Sequence, residues 1–177
     1  MENKIDIRNK AKKIRQTLDI KGLSAKIIQH IHELIVYKNA KNIMIFYPLE
    51  NEINLLDLLK LNSEKFFFLP RMNGNTLDAC SYSINDKLTP SKYNILEPLT
   101  APVNKNIIDI VFIPALCTDK NLNRLGYGKG FYDKFLSDYK NLKICVCPEE
   151  LLFNKIPTDA HDIKMDLIIT QNTIYKK

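Results

Sequence analysis

The sequence concentrates its glycines in one short stretch that also carries charged side chains. Three of the five glycines of the chain fall within NRLGYGKGFYD, residues 123–133; they are Gly126, Gly128 and Gly130. Glycine lets backbone N–H groups approach an anion without a Cβ in the way, and it permits positive φ angles. Arg124 can bind two phosphate oxygens at once, Lys129 adds a compact charge, and the carboxylate of Asp133 suits a hard divalent cation. The stretch predicts a phosphate-binding loop, with a tight structural turn as the alternative.

The loop follows neither of two widespread phosphate-binding patterns. The P-loop pattern G-x-x-x-x-G-K-[ST] does not fit the stretch, and the dinucleotide pattern G-x-G-x-x-G does not fit it either. The residues alone therefore leave open which nucleotide or sugar-phosphate chemistry the loop serves.

The rest of the chain alternates between helical and strand-like patterns. Apolar residues recur at helical spacing over residues 4–18, and Ser24 is placed to cap a second helix that runs to Tyr37. INLLDLLKL and the residues between the glycines and Asp138 predict two more helices. Short apolar runs predict buried strands near residues 43–47, 66–69, 108–113, 143–147 and 166–170. The alternation indicates one domain over residues 1–177, a three-layer α/β/α fold with a mainly parallel central sheet.

Parallel sheets bind their ligands at the carboxyl ends of the strands. Residues 47–52 follow the first predicted strand, residues 70–71 follow the second, which Pro70 is expected to end, and residues 114–133 follow the third. The glycine cluster lies in the third of these segments. Its position favours a ligand-binding loop over a turn with no ligand.

Composition limits the class of protein. Hydrophobic residues make up 45% and charged residues 26% of the chain, as in ordinary soluble domains. No apolar run approaches the ~20 residues of a membrane span, and the first residues lack the apolar segment of a signal peptide. We therefore expect a cytoplasmic protein with no membrane partner. The cysteines lack metal-binding spacing and are expected to be buried thiols; they are Cys80, Cys117, Cys145 and Cys147.

A formal net charge of +6 makes nucleic acid a partner to consider. The dense basic cluster is RNKAKKIR at residues 8–15, and the sequence has no RNP-like aromatic motif, helix-turn-helix signature or basic tail. A basic surface also suits an enzyme whose ligands are polyanions. We expect no nucleic-acid partner and keep an RNA-binding module as the alternative, which steeply salt-dependent RNA binding without ATP turnover would favour.

The glycine-rich stretch resembles the signature of the 5-formyltetrahydrofolate cyclo-ligase family. RLGYGKGFYD is the specific part of this resemblance. Weaker family motifs are resembled in the same order by KIDIR, FYPLENEI, FFFLPR, YNILEP, DIVFIPALC and IPTDAHDIKMD. The resemblance therefore covers nearly the whole chain. It implies an enzyme that converts 5-formyltetrahydrofolate and MgATP to 5,10-methenyltetrahydrofolate, ADP and phosphate.

The resemblance also implies roles for single residues. Arg124 and Lys129 would be catalytic, because they would stabilise the charge on a transferred phosphoryl group, while Asp133 and Asp162 would hold Mg²⁺. The residues that would bind ATP as co-substrate are Lys4, Arg8, Arg124, Gly126, Gly128, Lys129, Gly130 and Tyr132. Those that would bind the folate are Tyr47, Glu52, Arg71, Tyr127, Phe131 and Tyr132. We expect the enzyme to be a monomer.

Several of these residues have plainer interpretations that the sequence leaves open. Lys4 and Arg8 could be solvated charges on a helix, Glu52 could simply begin a helix, and Tyr47 could belong to the core. The chain also departs from the family pattern. Phe131 replaces the usual tyrosine, and PEELL stands where the family has a glutamine after KICVC.

Asp162 raises a question of topology. It precedes the last predicted strand, and in a parallel sheet that position lies at the edge opposite the ligand site. A metal role for Asp162 therefore requires that residues 156–165 pass over the carboxyl ends of the strands, or that the last strand is antiparallel. The alternative is that Asp162 caps a turn.

Overall fold

The computed structural model describes residues 3–176, which form five α-helices and thirteen strands. The α-helices are α1 (Lys4–Arg15), α2 (Ile20–Glu33), α3 (Ile35–Asn39), α4 (Asp57–Leu61) and α5 (Phe131–Leu136). The strands are β1 (Asn42–Met44), β2 (Phe66–Asn73), β3 (Thr76–Ser81), β4 (Leu88–Pro90), β5 (Leu96–Pro98), β6 (Pro102–Val103), β7 (Ile110–Pro114), β8 (Cys117–Asp119), β9 (Arg124–Leu125), β10 (Leu142–Val146), β11 (Leu152–Phe153), β12 (Leu167–Ile169) and β13 (Ile174–Lys176). Single 3₁₀ turns lie at Lys105–Ile107 and Glu149–Leu151. Within this described part, no helix has the length and apolarity needed to cross a membrane.

Eight strands form the central sheet, in the order β13-β12-β10-β7-β1-β2-β3-β6. The inner strands from β12 to β2 run parallel to their neighbours, and antiparallel pairs add β13 at one edge and β3 with β6 at the other. The mainly parallel sheet that the sequence predicts is therefore confirmed. The five predicted strands correspond to β1, β2, β7, β10 and β12.

The two faces of the sheet carry separate apolar clusters. Along β7, Ile110 and Phe112 point into one cluster and Val111 and Ile113 into the other, as the two-residue period of a strand requires. Helices α2, α3 and α4 pack on the first cluster, and α5 packs on the second. This arrangement confirms the three-layer α/β/α fold.

Helix α1 lies outside these layers, at the carboxyl edge of the central sheet. Its residues Ile7 and Ala11 pack in a third apolar cluster with Leu116 and Cys117, which directly follow β7. A small sheet in the order β11-β8-β9 completes that cluster. The sequence pattern predicts the helix but not this small sheet, because strands of two or three residues are too short to show a period.

The helix boundaries differ from the prediction at two places. Asp19, not Ser24, caps α2, because its side chain accepts a hydrogen bond from the Gly22 amide. Ser24 lies inside the helix, where its hydroxyl donates to the Ile20 carbonyl. The helix also ends before Tyr37, since Leu34 adopts an extended conformation between α2 and α3.

Strand β2 does not end at Pro70 as predicted. It continues to Asn73, and Pro70 pairs with Ala79 of the antiparallel strand β3. Proline is tolerated here because the parallel partner β1 has already ended at Met44, so the missing N–H of the proline leaves no ladder bond unmade.

The segment before β12 crosses from one edge of the sheet to the other. Strand β12 is parallel to β10, so its start lies at the amino edge. Asp162 nevertheless lies at the carboxyl edge, where it forms an ion pair with Lys4 of α1. Met165 then donates to the Leu122 carbonyl, and Asp166 reaches the amide of Lys143 at the start of β10. Residues 156–165 therefore pass over the carboxyl ends, which is the first of the two arrangements that a metal role for Asp162 requires.

The cysteines are free and buried, as the sequence analysis predicts. Burial raises the pKa of Cys117 to about 12 and that of Cys147 to about 11. These thiols therefore remain protonated near neutral pH.

Candidate active site

A cleft of about 310 Å³ opens at the carboxyl edge of the central sheet. All of the predicted site residues except Arg71 line it; they are Lys4, Arg8, Tyr47, Glu52, Arg124, Gly126, Tyr127, Gly128, Lys129, Gly130, Phe131, Tyr132, Asp133 and Asp162. These residues come from α1, from the segment after β1, from the glycine-rich loop with α5, and from the segment that precedes β12. One cleft therefore brings together residues from both ends of the chain.

The glycines of the loop make room for two arginine side chains. Gly128 has a φ of +96°, and a Cβ built there would lie 3.2 Å from Cζ of Arg8. A Cβ on Gly126 would lie 3.3 Å from Nη1 of Arg124. Gly130, with a φ of +68°, caps α5. The cluster is thus glycine-rich because guanidinium groups lie against its backbone and because two positions need positive φ.

Helix α1 delivers two cations to the cleft from one face. Lys4 and Arg8 lie four residues apart, so they project from the same side of the helix. Lys4 Nζ contacts carboxylate oxygens of Asp159 at 2.7 Å and of Asp162 at 2.6 Å, while Arg8 Nε donates to the Gly126 carbonyl at 2.9 Å. These contacts exclude the alternative that both residues are only solvated helix charges.

Arg124 is held firmly in the floor of the cleft. Its side chain is 6% exposed and pairs with Asp133, with Nη2 at 2.6 Å from Oδ1. The guanidinium carbon lies 5.9 Å from the ring centroid of Tyr132, and Nε has no hydrogen-bond partner within residues 3–176. Arg124 therefore presents a fixed positive charge with unused hydrogen-bonding capacity.

Glu52 is a buried carboxylate in the segment that follows β1. It is 5% exposed, and its Oε2 accepts a hydrogen bond from the Leu49 amide at 2.9 Å. Burial raises the pKa of Glu52, while the Leu49 amide, the charge of Arg15 and the hydroxyl of Tyr127 act in the opposite direction. Glu52 is not part of a helix, since α4 begins only at Asp57. The plainer interpretation of Glu52 as a helix-starting acid is therefore wrong.

A second wall of the cleft comes from hairpins that the sequence analysis does not predict. Strands β2 and β3 contribute apolar side chains, and the β4–β5 hairpin contributes Tyr93 and Glu97. The ring of Tyr93 meets that of Phe131 edge-on across the cleft, with centroids 6.2 Å apart. Glu97 is 9% exposed and accepts from the Met72 amide at 3.1 Å. The motif YNILEP contains both residues and is the signal that could have identified them.

Arg71 does not line the cleft. Its neighbours along β2, Pro70 and Met72, do line it, and alternate residues of a strand point to opposite faces. The guanidinium of Arg71 donates to the Thr100 carbonyl at 2.8 Å and lies 3.8 Å from a carboxylate oxygen of Asp78. The geometry therefore does not support a substrate contact for Arg71.

Oxygen ligands for a cation are present where the glycine-rich loop meets the segment before β12. Asp133 and Asp162 both line the cleft, and Asp133 Oδ1 accepts from the amide of Ile163, the residue after Asp162. Asp159 and His161 place ligand atoms within 4.8 Å of one another and of Asp162. Burial alone would raise the pKa of Asp162, but hydrogen bonds from Lys4 and from the Asp159 amide outweigh it and lower that pKa. Asp162 is therefore ionised near neutral pH.

The fold and the cleft together define a class of protein. It is an α/β enzyme in which a cationic, glycine-rich loop at the carboxyl edge of a parallel sheet faces an apolar wall with buried carboxylates. Such a site suits a polyanion that reacts with a mostly apolar second substrate.

Comparison with known proteins narrows this class to one family. The model of the 5-formyltetrahydrofolate cyclo-ligase family matches residues 1–171. The 5-formyltetrahydrofolate cyclo-ligase of Mycoplasma genitalium is 31% identical over 159 residues, covering 86% of each chain. That of Mus musculus is 28% identical over 179 residues, covering 91% of this chain and 85% of the mouse protein. The NMR structure of Aquifex aeolicus 5,10-methenyltetrahydrofolate synthetase superposes with a TM-score of 0.88 at 29% identity, covering 98% of this chain and 92% of that one.

This chain therefore belongs to the 5-formyltetrahydrofolate cyclo-ligase family. The resemblance that its glycine-rich signature indicates is confirmed.

Proposed function

We propose that the protein uses ATP to close the ring of 5-formyltetrahydrofolate, giving 5,10-methenyltetrahydrofolate, ADP and phosphate. The observation that carries the proposal is that one cleft of about 310 Å³ joins the cationic loop to the apolar wall. The relatives named cyclo-ligases and synthetases support the folate substrate and the methenyl product.

The chemistry explains why a ring closure needs ATP. The formyl oxygen of an amide is a poor leaving group, and its carbon is a poor electrophile. Transfer of the terminal phosphoryl group of ATP to that oxygen forms an O–P bond and releases ADP. N10 of the same folate then attacks the formyl carbon, loses its proton, and expels the oxygen as phosphate.

The loop side of the cleft binds and activates ATP in this proposal. Phosphoryl transfer depends on positioning and charge stabilisation more than on a covalent nucleophile. Arg124 and Lys129 stabilise the charge on the transferred group. Lys4, Arg8, Tyr132 and the backbone at the three glycines complete the ATP site, and the fixed Arg124–Asp133 pair supports the required preorganisation.

The opposite side of the cleft binds the folate. Tyr47, Tyr127, Phe131 and Tyr132 offer aromatic surface to the ring system. The carboxylate of Glu52 accepts hydrogen bonds from N–H groups, which a folate ring carries. Phe131 lacks the hydroxyl that most family members have at this position, so in this chain it contributes packing alone.

Mg²⁺ fits the residues of this site. Asp133 and Asp162 supply the hard oxygen ligands that the ion prefers, and the two residues lie at one meeting point of the cleft. When bound, the ion neutralises charge on the phosphates of ATP. Lys4 then keeps Asp162 in place through its ion pair, and Arg124 does the same for Asp133.

The wider setting is also part of the proposal. Because the cleft combines α1 with residues near position 162, we propose that residues 1–177 form one domain. We propose that it acts as a cytoplasmic monomer without a nucleic-acid or membrane partner. Arg8 and Arg15 of the basic cluster turn inward, which reduces the positive surface open to RNA.

The direct test is to add ATP, Mg²⁺ and 5-formyltetrahydrofolate to the purified protein and to follow the absorbance of the methenyl product. We expect one ADP for each methenyl group formed, and no product when a non-hydrolysable ATP analogue replaces ATP. Product formed without ATP consumption would contradict the ATP-dependent mechanism. No product under any condition would reject the proposed function.

A further inference from the structure

Arg15, in the last turn of α1, is a buried cation. It is 4% exposed and forms no ion pair with a carboxylate within residues 3–176. Its guanidinium donates instead to backbone carbonyls: Nη1 to Asn51 at 3.0 Å, and Nη2 to Leu116 at 3.2 Å and to Ala115. Burying a guanidinium without a counter-charge is costly, so simple packing is a poor explanation for this residue.

The carbonyls that Arg15 binds belong to two segments that form the cleft. Asn51 directly precedes Glu52, so Arg15 holds the peptide unit from which the buried carboxylate projects. Ala115 and Leu116 join β7 to β8, and β8 pairs with the strand that begins at Arg124. One side chain of α1 therefore fixes the Glu52 turn against the base of the glycine-rich loop.

The charge of Arg15 also acts on Glu52. The groups that face this carboxylate are the Leu49 amide in its own turn, Arg15 of α1, Tyr127 of the glycine-rich loop and Tyr132 of α5. Of these, Arg15 is the cation, and its charge opposes the rise in the Glu52 pKa that burial causes. The other two cations of α1 at the cleft have different partners: Lys4 pairs with Asp162, and Arg8 donates to the Gly126 carbonyl.

We propose that Arg15 is a positioning residue for the folate: it clamps the turn that carries Glu52 and faces that carboxylate with a fixed positive charge. The inference rests on the proposed function in one respect, namely that Glu52 contacts the folate. It extends the role of α1, because the helix then serves the folate side of the cleft through Arg15 and the ATP side through Lys4 and Arg8.

The test compares Arg15→Met, Arg15→Lys and the control Lys13→Met, whose side chain is exposed on the same helix. Binding of 5-formyltetrahydrofolate is measured without ATP, and ATP binding is measured separately. We expect Arg15→Met to weaken folate binding by about tenfold or more, as loss of a charged hydrogen-bonding group does, with little change for ATP. Lys13→Met should match the wild type for both ligands.

The pH dependence gives a readout that a purely structural role would not change. An ionised Glu52 binds N–H groups best, so folate binding should rise as pH increases through the pKa of Glu52. Without the cation that pKa is higher, so in Arg15→Met the rise should move to higher pH. Arg15→Lys keeps the charge, so its pH profile should stay near that of the wild type even if its affinity falls.

Two results would overturn the inference. One is an equal loss of folate and ATP affinity in Arg15→Met with an unchanged pH profile. The other is an undiminished loss of folate affinity when Arg15→Met is combined with Glu52→Gln, because the proposal expects that loss largely to vanish once the Glu52 carboxylate is removed. If Arg15→Met does not fold, Arg15→Lys decides: a pH profile shifted away from the wild type contradicts the proposal. A wild-type protein that binds no 5-formyltetrahydrofolate would reject the proposed function itself, and so the two failures are distinguishable.

Discussion

The two edges of the central sheet use charged residues in different ways. At the amino edge, residues that directly precede parallel strands bind the backbone of neighbouring segments. Asp109, before β7, accepts from the amides of Lys41 and Asn42 at 2.8 Å each. Asp166, before β12, accepts from the amide of Lys143. Lys65, before β2, donates to three carbonyls around the end of α3, those of Tyr37, Lys38 and Ala40.

At the carboxyl edge, charged side chains line the cleft instead. Arg124 keeps a free donor, and Glu52 and Glu97 are buried next to the cleft. This contrast separates two roles of charged residues in one sheet. Charges that complete backbone hydrogen bonds stabilise the fold, whereas charges that line a cleft are available for a ligand. Substitutions at the two edges should therefore divide into losses of stability and losses of activity.

The largest effect is expected at the carboxyl edge, from Arg124→Ala. Loss of this donor should lower ATP-dependent turnover by roughly 10²-fold or more, while folate binding changes less. The matched control is Lys134→Ala on the exposed face of α5, which should leave turnover unchanged. Steady-state kinetics with ATP as the varied substrate gives the measurement, and unchanged ATP kinetics in Arg124→Ala would refute the assignment.

At the amino edge, Asp109→Ala should reduce stability and spare activity. The substitution leaves two backbone amides without their acceptor, which should lower the free energy of unfolding by about 1–3 kcal/mol. Urea denaturation measures this, with Asp57→Ala, which breaks only an exposed pair with Lys60, as the control of smaller effect. A large fall in kcat/KM of folded Asp109→Ala would contradict the proposed division between the two edges.

Gly128→Ala tests whether position 128 must be glycine because the Arg8 guanidinium lies against it. The added Cβ would lie 3.2 Å from the Arg8 guanidinium at a φ of +96°, and such backbone strain costs about 1–2 kcal/mol. We expect the affinity for ATP to fall, by at most about tenfold. Gly74→Ala is the matched control, because Gly74 also has a positive φ but nothing within 4 Å of its Cβ position. If both variants bind ATP like the wild type, the contact with Arg8 has no functional role.

The smallest effects are expected from the proposed metal ligands. Asp133→Asn and Asp162→Asn each retain one oxygen but lose the charge, so each should raise the Mg²⁺ concentration needed for half-maximal turnover. Asp159→Asn, an exposed partner of Lys4 that does not line the cleft, should change it less. The measurement is a Mg²⁺ titration at fixed ATP. An unchanged Mg²⁺ requirement in both of the first two variants would rule out their role as ligands.

The site residues that could be predicted from the sequence are those whose type or spacing alone indicates a function. The glycines, Arg124 and Lys129 predict a phosphate-binding loop, and the structure places all of them in the cleft. The spacing of Lys4 and Arg8 places both on one side of α1, and the rule that parallel strands bind ligands at their carboxyl ends locates Tyr47 and Glu52. These predictions agree with the cleft because each depends on local geometry.

The remaining parts of the site depend on strand pairing and on hydrogen bonds between distant segments, which no local sequence pattern reveals. The sequence predicts Arg71 at the cleft because Pro70 is expected to end the strand. Because the strand continues to Asn73, successive side chains point to opposite faces of the sheet, so Arg71 points away from the cleft and Met72 lines it. Glu97 is buried only because a short hairpin pairs it with a backbone amide of β2. In the sequence Arg15 shows only as part of a basic cluster, because its carbonyl partners lie 36 to 101 residues away.

The contacts of α1 have a consequence for the order in which the molecule assembles. Lys4 and Arg8 bind groups that lie 158 and 118 residues further along the chain. During synthesis α1 leaves the ribosome long before those partners exist, and contacts of such sequence separation form late because they must first close a long loop. The sheet can collapse around β1, β2 and β7 before the contacts of α1 with the glycine-rich loop and Asp162 have formed. The cleft is therefore expected to close late in folding, after the sheet that carries it has formed.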